Sequence, residues 1–162
     1  MNKLTILFLF ACIGLKSFSQ DTNGIIKTDI GTIAEYNFYQ LSYEFNITEN
    51  NSMELGAGYG SESGVNAFGL SMQSRYYLSE VAPKGFHVGP RILAIYAESR
   101  RSNAFTGTKD NAFGFEIDGL FGYQFLIEDL ISLNPYAGGG LAIVNNITTT
   151  GFVFGITLGI AF

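Results

Sequence analysis

Apolar and polar residues alternate along most of the chain after its first twenty residues. From Tyr39 to Ile47 every second residue is apolar and the residues between are polar. Successive side chains of a β-strand point to opposite faces, so this pattern predicts a strand with one apolar and one polar face. The alternation recurs in five further segments, 52–59, 68–78, 86–96, 113–125 and 152–162. Two weaker segments, 25–33 and 134–144, bring the predicted strands to eight.

Eight strands joined as consecutive hairpins account for nearly all of residues 21–162. The predicted fold is all-β: an eight-stranded antiparallel up-and-down transmembrane β-barrel that occupies residues 21–162 as a single domain. Alternation alone does not say which face points outward. A soluble, lipocalin-like barrel has the same period with its apolar face turned inward.

Three features of the pattern favour an apolar exterior. The polar face consists mostly of Gly, Ala, Ser, Thr and Gln, which suits a narrow packed lumen better than a water-exposed wall. Aromatic residues gather toward both ends of the apolar face, as two lipid–water interfaces favour. The predicted connections also alternate in length. Short turns are expected at 48–51, 79–85 and 128–132, and longer exposed loops at 61–66, 98–112 and 145–151, with a short first connection at 34–37 as the exception. This order predicts that both termini lie on the periplasmic side.

Residues 1–20 have the features of a cleavable signal peptide. Lys3 supplies a positive charge, 4–15 is an apolar run, and small residues follow near 17–20. The run is too short to span a bilayer, so export is the better interpretation. Cys12 is the chain's one cysteine and lies inside this segment. Neither a disulfide framework nor a thiolate metal site is therefore expected in the exported chain.

Composition narrows the class of protein further. The chain is 47% hydrophobic and only 14% charged, with 15 Phe and 9 Tyr, so it would collapse rather than remain disordered. Its net charge of -5 offers no basic surface to a nucleic-acid backbone. No calcium-loop spacing occurs, and we expect neither a metal nor a cofactor.

Charged residues on the polar face are the candidate functional residues. Folding the hairpins about their turns places them near one another inside the barrel, and charges within a bilayer persist when they pair in the protein interior. Their alternative role is an acid/base pair of the kind hydrolases use. The interior of eight strands is just filled by side chains, which leaves little room for a substrate. We therefore predict a salt-bridge network that holds the barrel closed, formed by Glu44, Glu54, Arg75, Arg91, Glu116 and Asp118.

The chain resembles the small outer-membrane barrels of Gram-negative bacteria, of the OmpA-transmembrane, OmpX and OmpW type. More narrowly, RYYL at 75–78 and PKGFHVGP at 83–90 are similar to a stretch of uncharacterised Bacteroidota barrel proteins. The resemblance implies export, insertion by the barrel-assembly machinery and residence in the cell outer membrane. Leu158, Ile160 and Phe162 match the C-terminal signal which that machinery reads. The resemblance supplies no activity.

His87, the one histidine, limits the catalytic designs available to the chain. Lipid-modifying outer-membrane barrels of this size class use a His with a Ser near the outer leaflet. His87 follows the predicted short periplasmic turn, at the opposite end. We expect a histidine at the barrel rim that bonds its neighbours, and no catalytic residue.

The predicted function is that of a non-enzymatic, monomeric outer-membrane protein with a side-chain-filled polar lumen and a structural or surface-interaction role. Its expected partners are outer-membrane lipids and lipopolysaccharide, whose phosphates Arg100, Arg101 and Lys109 of the long loop could contact. A merely solvated loop tip is the interpretation that we prefer for those three residues. A lipid A deacylase or acyltransferase and a small-solute channel are the alternative functions.

Overall fold

The computed structural model describes residues 24–78, 81–102, 109–145 and 147–162. They form a closed, antiparallel eight-stranded barrel in up-and-down order, which confirms the predicted fold class. The strands are β1 Gly24–Asp29, β2 Phe38–Thr48, β3 Asn51–Glu62, β4 Val65–Tyr77, β5 Gly85–Ser102, β6 Lys109–Ile127, β7 Ile131–Val144 and β8 Ile147–Ala161. A seven-residue helix, α1 (Ile30–Tyr36), connects β1 to β2. The predicted signal peptide, 1–20, lies outside the described residues.

The two ends of the barrel differ. At the terminal end, where β1 begins and β8 finishes, Gly24 N donates to Phe162 O over 3.2 Å and Phe162 N donates to Gly24 O over 3.0 Å. The opposite end carries α1 and is called the helix end below. Strand β1 pairs with β8 from Ile25↔Ala161 to Asp29↔Thr157, and this pairing closes the barrel.

The outer surface of the barrel is apolar and its interior is polar. Leu70, Phe121 and Ile156 are 67%, 50% and 41% exposed. Several of the largest fully buried side chains are instead polar or charged, among them Arg75 and Lys27. A water-soluble domain has the reverse arrangement, because buried charge costs free energy and exposed apolar surface gains none. The apolar face therefore points outward, as the small and uncharged polar face and the aromatic residues at both strand ends predict.

The first connection differs from its prediction. Strand β1 ends at Asp29, not near residue 33, because Asp29 caps a helix: its carboxylate accepts hydrogen bonds from Gly31 N (2.8 Å) and Thr32 N (3.2 Å). Asn37 ends the helix in the left-handed conformation, with φ of 47°. Residues 30–33, which the alternation assigns to a strand, therefore belong to a helix that these two caps bound.

The predicted alternation of connection lengths is wrong. Ser63 and Gly64 alone join β3 to β4, with φ of 50° and 85°, as a tight hairpin requires. The connection between β7 and β8 is equally short: β7 ends at Val144 and β8 begins at Ile147. Both hairpins were expected to carry longer loops, and the strands instead continue into that sequence.

The predicted loop 98–112 is also shorter than expected. Arg100 and Arg101 belong to β5, and Lys109 begins β6. Only 103–108 separates the two strands, and those residues lie outside the described part of the chain. An extended hairpin replaces the predicted long loop because the strand pairing resumes at Ser102↔Lys109 after a shift of register.

Two prolines interrupt the strand pairing without shifting it. Pro90 lies in β5, and pairing with β4 passes from Gln73↔Arg91 directly to Tyr76↔Val88 in one register. No bulge accompanies Pro90 in this strand pair. A proline has no N–H to donate, so it leaves a gap in the ladder. Pro135 in β7 lies in a similar gap in the pairing with β6.

Candidate functional site

A cluster of buried charges fills the lumen near the terminal end. Arg75, on β4, directs one terminal nitrogen to Glu44 Oε2 at 3.1 Å and the other to Glu54 Oε2 at 2.5 Å. The two carboxylates face each other across paired positions of β2 and β3. The structure thus brings together three of the six residues predicted to form the lumen network.

Lys27 is a fourth charged member that the sequence analysis missed. Its ammonium group contacts the Glu44 carboxylate, lies 3.5 Å from Glu54 Oε2 and donates to Gln124 Oε1 over 2.6 Å. With Arg75 it makes two cations against two carboxylates, so this terminal cluster is formally neutral. The sequence does contain a signal for Lys27. A lysine in the middle of a short apolar strand has to point into the lumen, because its charge is costly on the face that contacts hydrocarbon.

Neutral hydrogen-bonding groups complete the terminal cluster. The Tyr77 hydroxyl donates to Glu44 Oε1 over 2.7 Å, and Ser52 Oγ donates to the same oxygen. Gln124 Nε2 donates to Pro83 O over 2.6 Å, which ties the cluster to the β4–β5 turn. These partners satisfy carboxylate oxygens that would otherwise be buried without donors, so they lower the cost of burying the charges.

His87 lies inside the barrel, so its predicted position at the rim is wrong. The imidazole is fully buried, its Nε2 is 2.9 Å from Asn134 Oδ1, and its ring lies against Tyr77 with centroids 5.4 Å apart. Alternation gives the reason, because His87 shares the inward parity of Gly85 on β5. An Asn amide, the one side-chain hydrogen-bond partner of His87 among the described residues, does not make a nucleophile–base pair.

A second charged cluster lies farther toward the helix end. Arg91 Nε donates to Asp118 Oδ2 over 2.8 Å, and Arg91 NH2 donates to Glu116 Oε1 over 3.0 Å. On the same side of the lumen, the Tyr136 hydroxyl donates to Asp29 Oδ2 over 2.5 Å. The six predicted network residues therefore form two clusters, each on neighbouring strands.

The lumen contains a cavity at its helix end, which we call the chamber. It has a volume of about 600 Å³ and is lined by the second cluster, by one face of α1 and by parts of β7 and β8. Glu35 and Tyr36 of α1 and Gln40 of β2 contribute polar groups to it. The prediction of a side-chain-filled lumen therefore holds for the terminal half of the barrel and not for the helix half.

The described residues contain no group of three His, Cys, Asp or Glu side chains that could hold a metal ion. No helix among them is long and apolar enough to cross a membrane.

The residues predicted to form the assembly signal lie on the last strand and just after it. Leu158 is exposed on the outer face, and the Phe162 ring stacks on Tyr43 with centroids 6.1 Å apart.

Comparison with known proteins finds a likeness of fold to solved β-barrels. The N-terminal β-barrel domain of Pseudomonas aeruginosa OprF superposes with a TM-score of 0.54 at 14% sequence identity, over 88% of this chain and 100% of that one. A structure from the de novo design of transmembrane β-barrels aligns over 89% of this chain and 97% of its own length, with a TM-score of 0.33 at 12% identity. No family model matches the chain, and no curated protein matches it. The likeness to OprF is one of fold.

Proposed function

We propose that this chain is an integral outer-membrane β-barrel protein without enzymatic activity, monomeric, and with a structural or surface-interaction role. The observation that carries the proposal is a distribution of polarity opposite to that of a water-soluble protein. Apolar side chains cover the outside, and the terminal cluster, whose positive and negative charges balance, closes the inside. Such a wall is stable where hydrocarbon replaces water. The similarity of fold to the OprF barrel domain supports the same location.

The terminal cluster supports a closed barrel rather than an open pore. Lys27, Glu44 and Arg75 are fully buried, so the lumen at their level has no water-filled path past them. Opening one would require breaking ion pairs that lie in a low-dielectric interior, where they are strong. The protein therefore spans the membrane without conducting solutes.

Export by a signal peptide and insertion by the barrel-assembly machinery belong to the same proposal. The apolar run at 4–15 and the C-terminal pattern of Leu158, Ile160 and Phe162 support them. We propose that both termini lie on the periplasmic side, an orientation that turns α1 and the chamber toward the cell surface. Lipopolysaccharide is then the nearest partner, and Arg100, Arg101 and Lys109 are the basic residues closest to it along the extended β5–β6 hairpin.

Membrane fractionation with gel mobility before and after boiling tests the location. We expect the chain in the outer-membrane fraction, with a compact form that migrates faster than the boiled one. A chain that stays in solution without detergent would overturn the proposal, since its apolar face would then contact water.

Analysis of lipid A by mass spectrometry tests the absence of enzymatic activity. Strains that express the wild type, the His87→Ala variant or no protein should yield the same acyl pattern. The buried imidazole bonded to Asn134 supports this expectation. A change in acyl pattern that requires the intact protein would favour a lipid A deacylase or acyltransferase instead.

A further inference from the structure

The chamber reaches beyond the lumen to one edge of β8. Six consecutive residues of that strand, 149–154, line it. Alternate residues of a strand point to opposite faces, so a cavity confined to the lumen would contact only every second one. Contact with all six means that the chamber extends along the edge of the strand.

This edge of β8 has no strand beside it. Pairing with β1 begins only at Thr157, while the other edge of β8 is paired to β7 along its whole length. Helix α1 takes the place of β1 there: a methyl group added at Gly31 would lie 3.5 Å from Gly155 Cα. We call this contact between α1 and β8 the seam. On its outer side, Phe152 and Phe154 are 95% and 76% exposed.

The chamber carries excess negative charge. Among the residues that the structure describes, Glu35, Glu116 and Asp118 line it against one cation, Arg91, which gives this described lining a formal charge of −2. An anionic headgroup would meet repulsion in such a chamber, whereas a cation would be attracted.

One carboxylate oxygen in the chamber lacks a partner. The Asp118 side chain is 1% exposed, and its Oδ1 accepts no hydrogen bond, although Oδ2 pairs with Arg91. A buried, unpaired acceptor costs free energy, and more so when it is charged. Oδ1 lies beside Gly140, where an added methyl group would overlap it. The glycine thus leaves room for a buried oxygen that has no donor among the described residues.

We propose that the chamber binds the ammonium group of a long-chain primary amine, whose apolar chain leaves through the seam and lies on Phe152 and Phe154. An ammonium group has three donors and no acceptor, which suits Asp118 Oδ1 and the neighbouring carboxylates. The exposed aromatic side chains outside the seam supply apolar surface for the chain. This inference rests on the proposed membrane location.

Binding of dodecylamine to the refolded protein in phosphatidylcholine nanodiscs tests the proposal. Amide chemical shifts of chamber residues report occupancy as dodecylamine is added. We expect saturable shifts with dodecylamine, none with dodecanol, and at least tenfold weaker binding of ethylamine. Equal shifts with dodecanol would overturn the ammonium site, and equal affinity for ethylamine would overturn the exit of the chain through the seam.

Charge variants locate the site. Asp118→Asn and Glu116→Gln should each weaken dodecylamine binding at least tenfold. Glu128→Gln removes the same charge from an exposed turn at the terminal end and should leave the affinity unchanged. Unaltered affinity in both chamber variants would refute the proposal. Gel mobility before boiling establishes that each variant is folded.

A pair of glycine variants tests the path. A Cβ atom added at Gly151, which lines the chamber, meets no atom within 4 Å, and the same holds for Gly119 on the outer face of β6. Gly151→Phe should block binding, and Gly119→Phe should not. Retained binding in Gly151→Phe would contradict the seam. Fractionation of the native protein away from the outer membrane would remove the proposed function, whereas these nanodisc results would still decide the ammonium site.

Discussion

Lys27 on β1 donates a hydrogen bond of 2.6 Å to Gln124 on β6, across the lumen of the barrel. The two residues are 97 positions apart in the sequence, and their strands are not neighbours in the sheet. Backbone pairing fixes each strand only against the next, so this contact joins opposite parts of the wall through their side chains. The terminal cluster therefore constrains the cross-section of the barrel as well as filling it.

Replacing Lys27 with Met should destabilise the barrel by about 3–5 kcal/mol, because two buried carboxylates would then share a single cation. Urea unfolding of the protein refolded into phospholipid vesicles measures the change. Lys84 lies in an exposed turn, and its replacement with Met should change the free energy of unfolding by less than about 0.5 kcal/mol. Equal effects of the two substitutions would show that the terminal cluster does not stabilise the fold.

The terminal cluster also predicts that the protein does not conduct ions. In planar bilayers the wild-type protein should show no steady conductance, because charged side chains occlude the lumen. The double variant Lys27→Ala, Arg75→Ala removes the two longest of these and should open transient conducting states. Steady large currents from the wild type would contradict the closed lumen, and silence of a folded double variant would place the barrier elsewhere.

Helix α1 depends on its N-terminal cap. Asp29→Ala removes two hydrogen bonds to the first turn and one from Tyr136, and should destabilise the helix by about 0.5–2 kcal/mol. Hydrogen exchange of amides 31–36 should accelerate, while that of the strands stays unchanged. Asp29→Asn keeps a capping oxygen and is the matched control. If both variants exchanged at the wild-type rate, the cap would not hold the helix.

The outward face predicts a dependence on depth. Leu70→Arg places a charge on the outer wall near the middle of β4 and should cost about 2–4 kcal/mol in vesicles. Leu78→Arg, at the same outward parity and just beyond the terminal end of the same strand, should cost only about 0–1 kcal/mol, since the charge there reaches the interface. The difference between the two unfolding free energies is the decisive quantity, and a difference near zero would indicate that this wall does not face hydrocarbon.

The strands were predictable because one physical constraint acts along the whole chain. A wall between hydrocarbon and a polar lumen requires period two, and the segment 39–47 shows it without interruption. The connections were less predictable. Ser63 and Gly64 form a tight turn, and Asp29 caps a helix, through hydrogen bonds made over a few residues, and such local contacts leave the long pattern unchanged.

The interior was predictable only as far as charge requires partners. Pairing Arg75 with Glu44 and Glu54 follows from strand register once the hairpins are aligned. Lys27 was not predicted to join the network because β1 is short and the alternation of apolar and polar residues in it is weak. The chamber could not be inferred, since it exists where α1 replaces a strand beside β8, and that replacement depends on the early end of β1 at Asp29.

The closure of the barrel is uneven in length: five residue pairs join β1 to β8, whereas fourteen join β7 to β8. The first and last strands are therefore the natural place for the cylinder to come together late during biogenesis. A short pairing between the first and last strands makes closure of a barrel in lipid easier, because only a few residue pairs have to align at the same time.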